Sequence, residues 1–349
     1  MMTSGMISIP SLVRIKQGAL GRIGLYCRRS GFTSIALLHS DDLPAKLLGK
    51  VQDSLIGNGI TVCTSIACGA ATFSEAERIF ASLSADVGAV VGVGGGKALD
   101  VAKYVAFLAR LPYLALPTSL SNDGFCSPGV SLILDGRKRS LPAAMPFGVV
   151  VDTEVCLAAP KRLWFSGIGD LVAKFTAVRD WKLAFHATGE PVNDFAALLS
   201  DATVFQFIAR PQYDIEGVRL LATSLMLNGI AMEICGSSRP ASGGEHLISH
   251  ALDRISARPA LHGLQVGMAT YLISRLQGVS SELINEIFSN CGFWEEIINE
   301  PFCTGEWLEA IKIAPTLKSD FYTVLSSRDC SPEVAAMIAS DPCLAGCFY

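Results

Sequence analysis

Between residues 34 and 151 short apolar runs alternate with amphipathic stretches of helical period, and this alternation constrains the fold more than any other feature of the chain. Residues 34–39 (Ser-Ile-Ala-Leu-Leu-His) read as a strand, 43–57 as a helix, 60–66 as a strand and 73–84 as a helix. Residues 89–93 then form a buried strand, 97–109 a helix and 113–116 another strand. Strand and helix in alternation imply parallel strands with helices on both faces. Asp135-Gly136, between the apolar run 130–134 and the basic run 137–139, is a hairpin signal, and 147–151 returns to the sheet. After Asp152 strand-like alternation all but disappears, and Pro160, Pro191, Pro211, Pro240 and Pro301 punctuate long helical patterns. The expected fold is therefore an α/β domain with a Rossmann-like parallel sheet over residues 1–152 and an all-α domain over 153–349.

The chain is 50% hydrophobic and 17% charged, with mean hydropathy +0.41, which excludes intrinsic disorder and coiled coil. Its 28 basic residues against 32 acidic ones leave a net charge of −4, so nucleic acid and anionic membrane surfaces are not expected partners. Every long apolar stretch is broken by charge, Gly or Pro before about 18 residues accumulate, so no membrane span is expected. The first residues carry no secretory pattern, which points to the cytoplasm. Eleven cysteines without a Cys-x-x-Cys pair read as reduced, mostly buried thiols. The apolar composition favours a homo-oligomer over a monomer.

Val91-Gly-Val-Gly94-Gly95-Gly96-Lys97 follows a predicted strand and opens a predicted helix. Absent side chains and free amides there let a pyrophosphate approach the positive end of a helix dipole, although a tight turn needing positive φ would use the same glycines. The run is neither Gly-x-Gly-x-x-Gly nor a phosphate loop ending in Lys-Ser/Thr. Upstream, the strand ending at His39 runs into Ser40-Asp41-Asp42. A carboxylate such as Asp41 beside an adenine ribose favours NAD over NADP; the alternative is a helix cap.

Three of the five histidines fall within the seventeen residues from His246 to His262. Ser242-Gly-Gly-Glu245 has capping-box spacing, so His246 and His250 share one face of the helix it starts, and His262 opens the next helical run, 264–276. Two imidazoles and one carboxylate form a frequent catalytic divalent-metal set. Asp170, in Ser166-Gly-Ile-Gly-Asp170, is the candidate acid, read at the start of a helix running through Lys174 toward Ala184. Surface histidines and a helix-terminal carboxylate would give the same spacing. Lys174, on the helical face of Asp170, is either a cation for a substrate phosphate or a solvated lysine.

Together, Gly94-Gly-Gly-Lys-Ala-Leu-Asp-Val-Ala-Lys103, Pro117-Thr-Ser-Leu-Ser-Asn-Asp-Gly-Phe-Cys-Ser-Pro128, Gly167-Ile-Gly-Asp-Leu-Val-Ala-Lys174 and Ser242-Gly-Gly-Glu-His-Leu-Ile-Ser-His-Ala-Leu-Asp253 resemble the sn-glycerol-1-phosphate dehydrogenase branch. That branch belongs to the superfamily of iron-containing alcohol dehydrogenases, glycerol dehydrogenases and dehydroquinate synthases. The resemblance covers about residues 10 to 330. It implies a dehydroquinate synthase-like fold, with an N-terminal dinucleotide-binding domain, a C-terminal metal domain and a cleft holding nicotinamide beside the metal. By position, Asp170, His246 and His262 resemble the metal ligands, and His250 a proton-relay histidine. Gly94, Gly95, Gly96 and Asp100 match the pyrophosphate loop, and Thr118, Ser119 and Ser127 belong to the nicotinamide-side segment. Asp123 matches an acid that contacts substrate hydroxyl.

Departures remain. Archaeal members more often carry Gly-Cys-Gly-Asp where this chain has Gly-Ile-Gly-Asp, Leu120-Ser-Asn122 looks closer to bacterial members, and residues 341–349 lie outside the motifs. The implied activity is hydride transfer between NAD, with NADP left open, and a small phosphorylated ketone or polyol, foremost dihydroxyacetone phosphate and sn-glycerol-1-phosphate. A divalent metal, zinc first and iron or nickel as alternatives, would assist. Competing readings are a dehydrogenase of another small polyol or alcohol, a dehydroquinate synthase-like cyclase, and a non-catalytic NAD-binding scaffold.

Overall fold

The computed structural model describes residues 7–279 and 281–349. It divides into two compact units that meet in sequence at Ala159 and Pro160.

The first unit runs β1 (Leu12–Lys16), α1 (Ile23–Arg29), β2 (Ser34–Ser40), α2 (Ala45–Gly57), β3 (Thr61–Cys68), α3 (Phe73–Ala81), β4 (Ala89–Gly94), α4 (Gly96–Ala109) and β5 (Tyr113–Pro117). The hairpin β6 (Gly129–Leu134) and β7 (Arg137–Pro142), then β8 (Gly148–Asp152) and α5 (Thr153–Leu157), complete it. Six strands form one parallel sheet in the order β1-β8-β5-β4-β2-β3. Strands β4, β5 and β8 are buried at every position, the physical origin of their unbroken apolar runs. Successive side chains feed opposite cores: Leu37, Val91 and Leu114 pack with Ile23 and Leu55 on one face, and Leu38, Val90 and Ala115 with Ile79 and Val105 on the other.

Two elements depart from the sequence reading, which began the sheet at Ser34. β1 pairs along β8 from Leu12↔Gly148 to Lys16↔Asp152 and is preceded by no pattern that announces it, because Leu12 alone of its five residues is buried. α5 lies beyond the expected boundary at 152/153 yet stays with the sheet. Its N-cap Asp152 is buried and accepts hydrogen bonds from the amides of Gly18 and Leu20, both at 3.1 Å, which fastens the end of β8 to the chain after β1. The Asp135-Gly136 turn has φ of 52° and 71°, the two positive values that a two-residue hairpin of matching twist requires.

The second unit is helical: α6 (Lys161–Val172), α7 (Lys174–Thr188), α8 (Asp194–Ile208), α9 (Ile215–Cys235), α10 (Gly244–Ile255), α11 (His262–Gln277), α12 (Ser281–Cys291), α13 (Phe293–Asn299), α14 (Thr304–Ile313) and α15 (Ser331–Ser340). α9 is long and apolar enough to cross a membrane by length and composition, contrary to the sequence expectation, because Glu216, Arg219 and Glu233 fall toward its ends. Of its apolar window, 61% is buried within the protein, as in a core helix.

Candidate functional site

The glycine run joins β4 to α4 at the carboxyl edge of the sheet, the edge at which open parallel sheets bind ligands. Gly94 has φ +139°, and a Cβ there would lie 2.0 Å from Ser40 Oγ, so this position excludes side chains on two grounds. Ser40 Oγ accepts from the Gly95 amide at 3.1 Å, and the Thr118 amide donates to Gly94 O at 3.0 Å, which ties the ends of β2 and β5 to the loop. Gly95 is the N-cap of α4 and offers no side chain to its first turn; a Cβ added at Gly95 meets nothing within 4 Å. Gly96 begins the helix, Ser119 follows Thr118, and exposed Asp41 stands in the turn after β2. Asp41, Gly94, Gly95, Gly96, Thr118 and Ser119 thus share one edge.

Asp100 and Ser127 turn elsewhere. Asp100 Oδ2 accepts from the Ser131 amide at 3.2 Å, bracing α4 against β6, and burial raises its carboxyl to about 6 although Lys103 pulls the other way. Ser127 Oγ donates to the carbonyls of Gly129 (3.0 Å) and Gly124 (3.2 Å). Lys103, which the sequence reading quoted without assigning it a role, is the hub of this segment. Its buried ammonium donates to the carbonyls of Gly124 (2.5 Å), Ser127 (2.9 Å) and Gly129 (2.8 Å), and burial pushes its pKa down. It clasps the short turn Asp123–Cys126 that carries half-buried Asp123.

In the helical unit, Asp170, His246 and His262 come together from α6, α10 and α11, and the ligand atoms they offer lie within 4.8 Å of one another. Asp170 occupies the last turn of α6, not the start of a helix reaching Ala184; a separate helix, α7, begins at Lys174. Gly169 is helical, and a Cβ on it would sit 2.0 Å from Gly263 O, while one on Gly263 would sit 1.8 Å from Ser166 O. Bare backbone at both positions lets α6 and α11 cross in contact, and that crossing brings Asp170 to His262, the first residue of α11.

Hydrogen bonds settle the imidazole orientations. His246 Nδ1 lies 2.9 Å from Glu245 Oε1; a carboxylate only accepts, so Nδ1 carries the proton. Ser249 Oγ donates to Gln265 Oε1 at 2.8 Å and therefore accepts from His262 Nδ1 at 3.0 Å. His246 Nε2 is 3.3 Å from Asp170 Oδ1, so the imidazole bridges the carboxylates of Glu245 and Asp170. His250 stacks on His262 with ring centroids 6.0 Å apart and an interplanar angle of 24°, outside the converging group.

Burial works against the Asp170 charge, but the Lys174 ammonium and the hydrogen bond to His246 outweigh it and hold the carboxyl well below the ordinary range. Lys174 is completely buried, 3.4 Å from Asp170 Oδ1 and 3.2 Å from Ala241 O. For His246, burial disfavours the charged form, and the carboxylates of Asp170 and Glu245 outweigh it and raise the pKa. Glu245 is the residue the sequence reading missed, having treated it as half of a capping box. The cap of α10 is Gly243, not Ser242, and the Glu245 carboxylate accepts from Gly243 N (2.5 Å), Thr176 Oγ1 (2.8 Å) and His246. Its place directly before a predicted ligand was the available signal.

The family profile described as iron-containing alcohol dehydrogenase matches residues 14–160. A glycerol-1-phosphate dehydrogenase (NAD(P)+) of Methanosarcina acetivorans is 34% identical over 344 residues, 95% of each chain. One from Methanothermobacter thermautotrophicus is 35% identical over 345 residues, 95% of this chain and 97% of its own. Among solved structures, glycerol dehydrogenase from Schizosaccharomyces pombe aligns over 98% of this chain and 91% of its own, with TM-score 0.77 at 20% identity. Sulfoacetaldehyde reductase from Bifidobacterium kashiwanohense, in complex with NAD+, aligns over 97% and 100%, with TM-score 0.70 at 17% identity. These two likenesses establish a shared fold.

Proposed function

The chain belongs to the glycerol-1-phosphate dehydrogenase branch of the iron-containing alcohol dehydrogenases, and from that membership we propose that it interconverts dihydroxyacetone phosphate and sn-glycerol-1-phosphate. NAD(P) and one divalent metal ion would serve as cofactors, as expected in this family. The observation that carries the reading is the buried convergence of Asp170, His246 and His262. One carboxylate and two imidazoles whose Nδ1 protons are already given away fit a divalent ion, zinc first, with iron and nickel accepting the same set. When bound, the ion supplies Lewis-acid polarisation of the substrate oxygen, and NAD(P)H supplies the hydride.

The remaining work falls to the chain itself. Gly94, Gly95 and Gly96 admit the pyrophosphate to the first-turn amides of α4. Asp41 accepts from the ribose hydroxyls, which favours NAD; Thr118 and Ser119 face the nicotinamide side, and Asp123 accepts from a substrate hydroxyl. Asp100 and Ser127 brace that segment through Ser131 and the Lys103 hub. His250 passes a proton to and from the substrate oxygen. Lys174, fully buried, acts by keeping Asp170 charged and is not assigned to the substrate phosphate. The cytoplasm suits eleven free thiols.

The test is NADH oxidation by metal-loaded protein with dihydroxyacetone phosphate, dihydroxyacetone and glycolaldehyde. The expected result is turnover of the phosphorylated ketone, with a product that an sn-glycerol-3-phosphate oxidase does not consume. No net NADH loss with any ketone overturns the proposal in favour of a cyclase, and failure to retain metal overturns it in favour of a scaffold.

A further inference from the structure

Helix α10 begins on two bare residues, Gly243 and Gly244, and a side chain at either would press on α7. A Cβ on Gly243 would lie 2.9 Å from Ala177 Cα, and one on Gly244 3.1 Å from Asp180 Oδ2. Gly243 as N-cap offers no acceptor of its own to the first-turn amides. Asp180 supplies the acceptor from α7: its Oδ2 accepts from the Gly244 amide at 2.7 Å. Its Oδ1 accepts from Gln277 Nε2, at the end of α11, and from the Val324 amide, both at 2.9 Å. Asp180 is completely buried, and burial together with the neighbouring Glu245 charge pushes its carboxyl up to about 7. Three N–H donors meet its two oxygens, so an acid stands here against the electrostatic cost because a carboxylate accepts on both sides where an amide accepts on one.

The same helix serves the rest of the candidate metal site. Lys174 pairs with Asp170 of α6. Thr176, one turn before Asp180 on the same face, donates its hydroxyl to Glu245 Oε2 at 2.8 Å, and its carbonyl accepts from Gln277 Nε2 at 3.1 Å. Gly244 and Glu245 directly precede His246, and α11 carries His262 at its start and Gln277 at its end. Resting on the reading of Asp170, His246 and His262 as metal ligands, we propose that Asp180 is a positioning residue of that site. It contributes no ligand; it fixes the starting turn of α10 against α7 and α11, so that the His246 imidazole meets Asp170 and His262 at a set place and angle. A contact that only stabilised the helical unit would instead lower Tm and leave the metal chemistry unmoved.

The test is zinc affinity by competition with a chelator, together with the visible absorption of the cobalt(II)-loaded protein, which reports the geometry around the ion. Asp180→Asn keeps the size of the side chain and loses one acceptor. It is expected to bind zinc roughly tenfold more weakly and to shift the cobalt bands, with the circular dichroism spectrum and NADH affinity unchanged. The control is Trp181→Phe on the same helix, whose indole donates instead to Pro191 O at 3.1 Å; it is expected to lower Tm and keep wild-type zinc affinity and cobalt bands. Wild-type affinity and bands in Asp180→Asn, or an equal loss of affinity in Trp181→Phe, overturns the proposal and leaves the metal-site reading standing. Wild type that binds neither ion overturns both. If Asp180→Asn does not fold, Gly244→Ala decides, because its Cβ meets side-chain ends, Ile273 Cδ1 at 3.0 Å and Asp180 Oδ2 at 3.1 Å, that can yield. That variant is expected to fold and to bind zinc several-fold more weakly, and wild-type affinity in it overturns the proposal.

Discussion

Glu245 Oε1 accepts the Nδ1 proton of His246 at 2.9 Å from the adjacent position in sequence, so a ligand of the candidate metal site and the carboxylate that aims it occupy one turn of α10. Such a partner fixes the tautomer and raises the basicity of the ligand. Glu245→Gln keeps the shape but removes the charge. It is expected to weaken zinc binding by roughly 10- to 100-fold, read by competition with a chelator, with the circular dichroism spectrum unchanged. Equal affinity in both proteins would remove Glu245 from the site.

His262→Ala and His250→Ala should separate ligand from relay. His262→Ala is expected to lose the metal while NADH binding persists, because the cofactor loop lies in the other unit. His250→Ala is expected to keep the metal and lower kcat by roughly 10- to 1000-fold, the range for loss of a general acid–base with partial rescue by water. Metal loss in His250→Ala equal to that in His246→Ala would make His250 a ligand, and full activity would make it structural.

Gly169→Ala sets two effects against each other. Alanine gains about 1 kcal/mol over glycine inside a helix, yet its Cβ would lie 2.0 Å from Gly263 O, a backbone atom with no rotamer to yield. Overpacking costs about 1–3 kcal/mol, and here relief requires moving α6 from α11. The expected outcome is a lower Tm together with weaker metal binding. A Tm equal to wild type or higher would show that the crossing is loose.

The glycine loop predicts opposite consequences at neighbouring positions. Gly94→Ala is expected to destabilise the fold, since φ is +139° and Ser40 Oγ fills the space. Gly95→Val meets open space, so the protein is expected to fold and to bind NADH at least tenfold more weakly, because the new side chain obstructs approach of the pyrophosphate to the amides. Calorimetric titration of folded Gly95→Val with wild-type affinity for NADH would disprove the loop assignment.

Asp100 gives a pH dependence of defined sign. Its carboxyl is raised from 3.8 to about 6 by burial, so the folded state binds that proton more tightly than the unfolded chain. The group therefore favours folding below pH 4, and its contribution is lost as pH rises through 6. Asp100→Asn keeps an acceptor for Ser131 and does not titrate. The urea midpoint of wild type relative to Asp100→Asn is expected to fall between pH 4 and 6; a constant difference would contradict the burial argument.

The order of elements was legible in the sequence because periodicity is local. Apolar runs such as 89–93 and 113–116 are buried strands, Asp135-Gly136 turns the hairpin, and the second half is helical. Residue type and spacing marked out three clustered histidines and Asp170 as candidates, and the family resemblance singled out Asp170, His246 and His262 among them. What brings them together was not legible. β1 depends on a partner more than 130 residues away, and the approach of Asp170 to His262 depends on two glycines meeting backbone to backbone across α6 and α11. The inward turn of Glu245 and the burial of Lys174 follow from neighbours on other helices. By itself the sequence determined which groups are present and which local elements carry them. Only the tertiary structure decided which groups face one another, because that depends on close contacts between segments far apart in the chain, and hydrophobic periodicity records which face is buried but not against what.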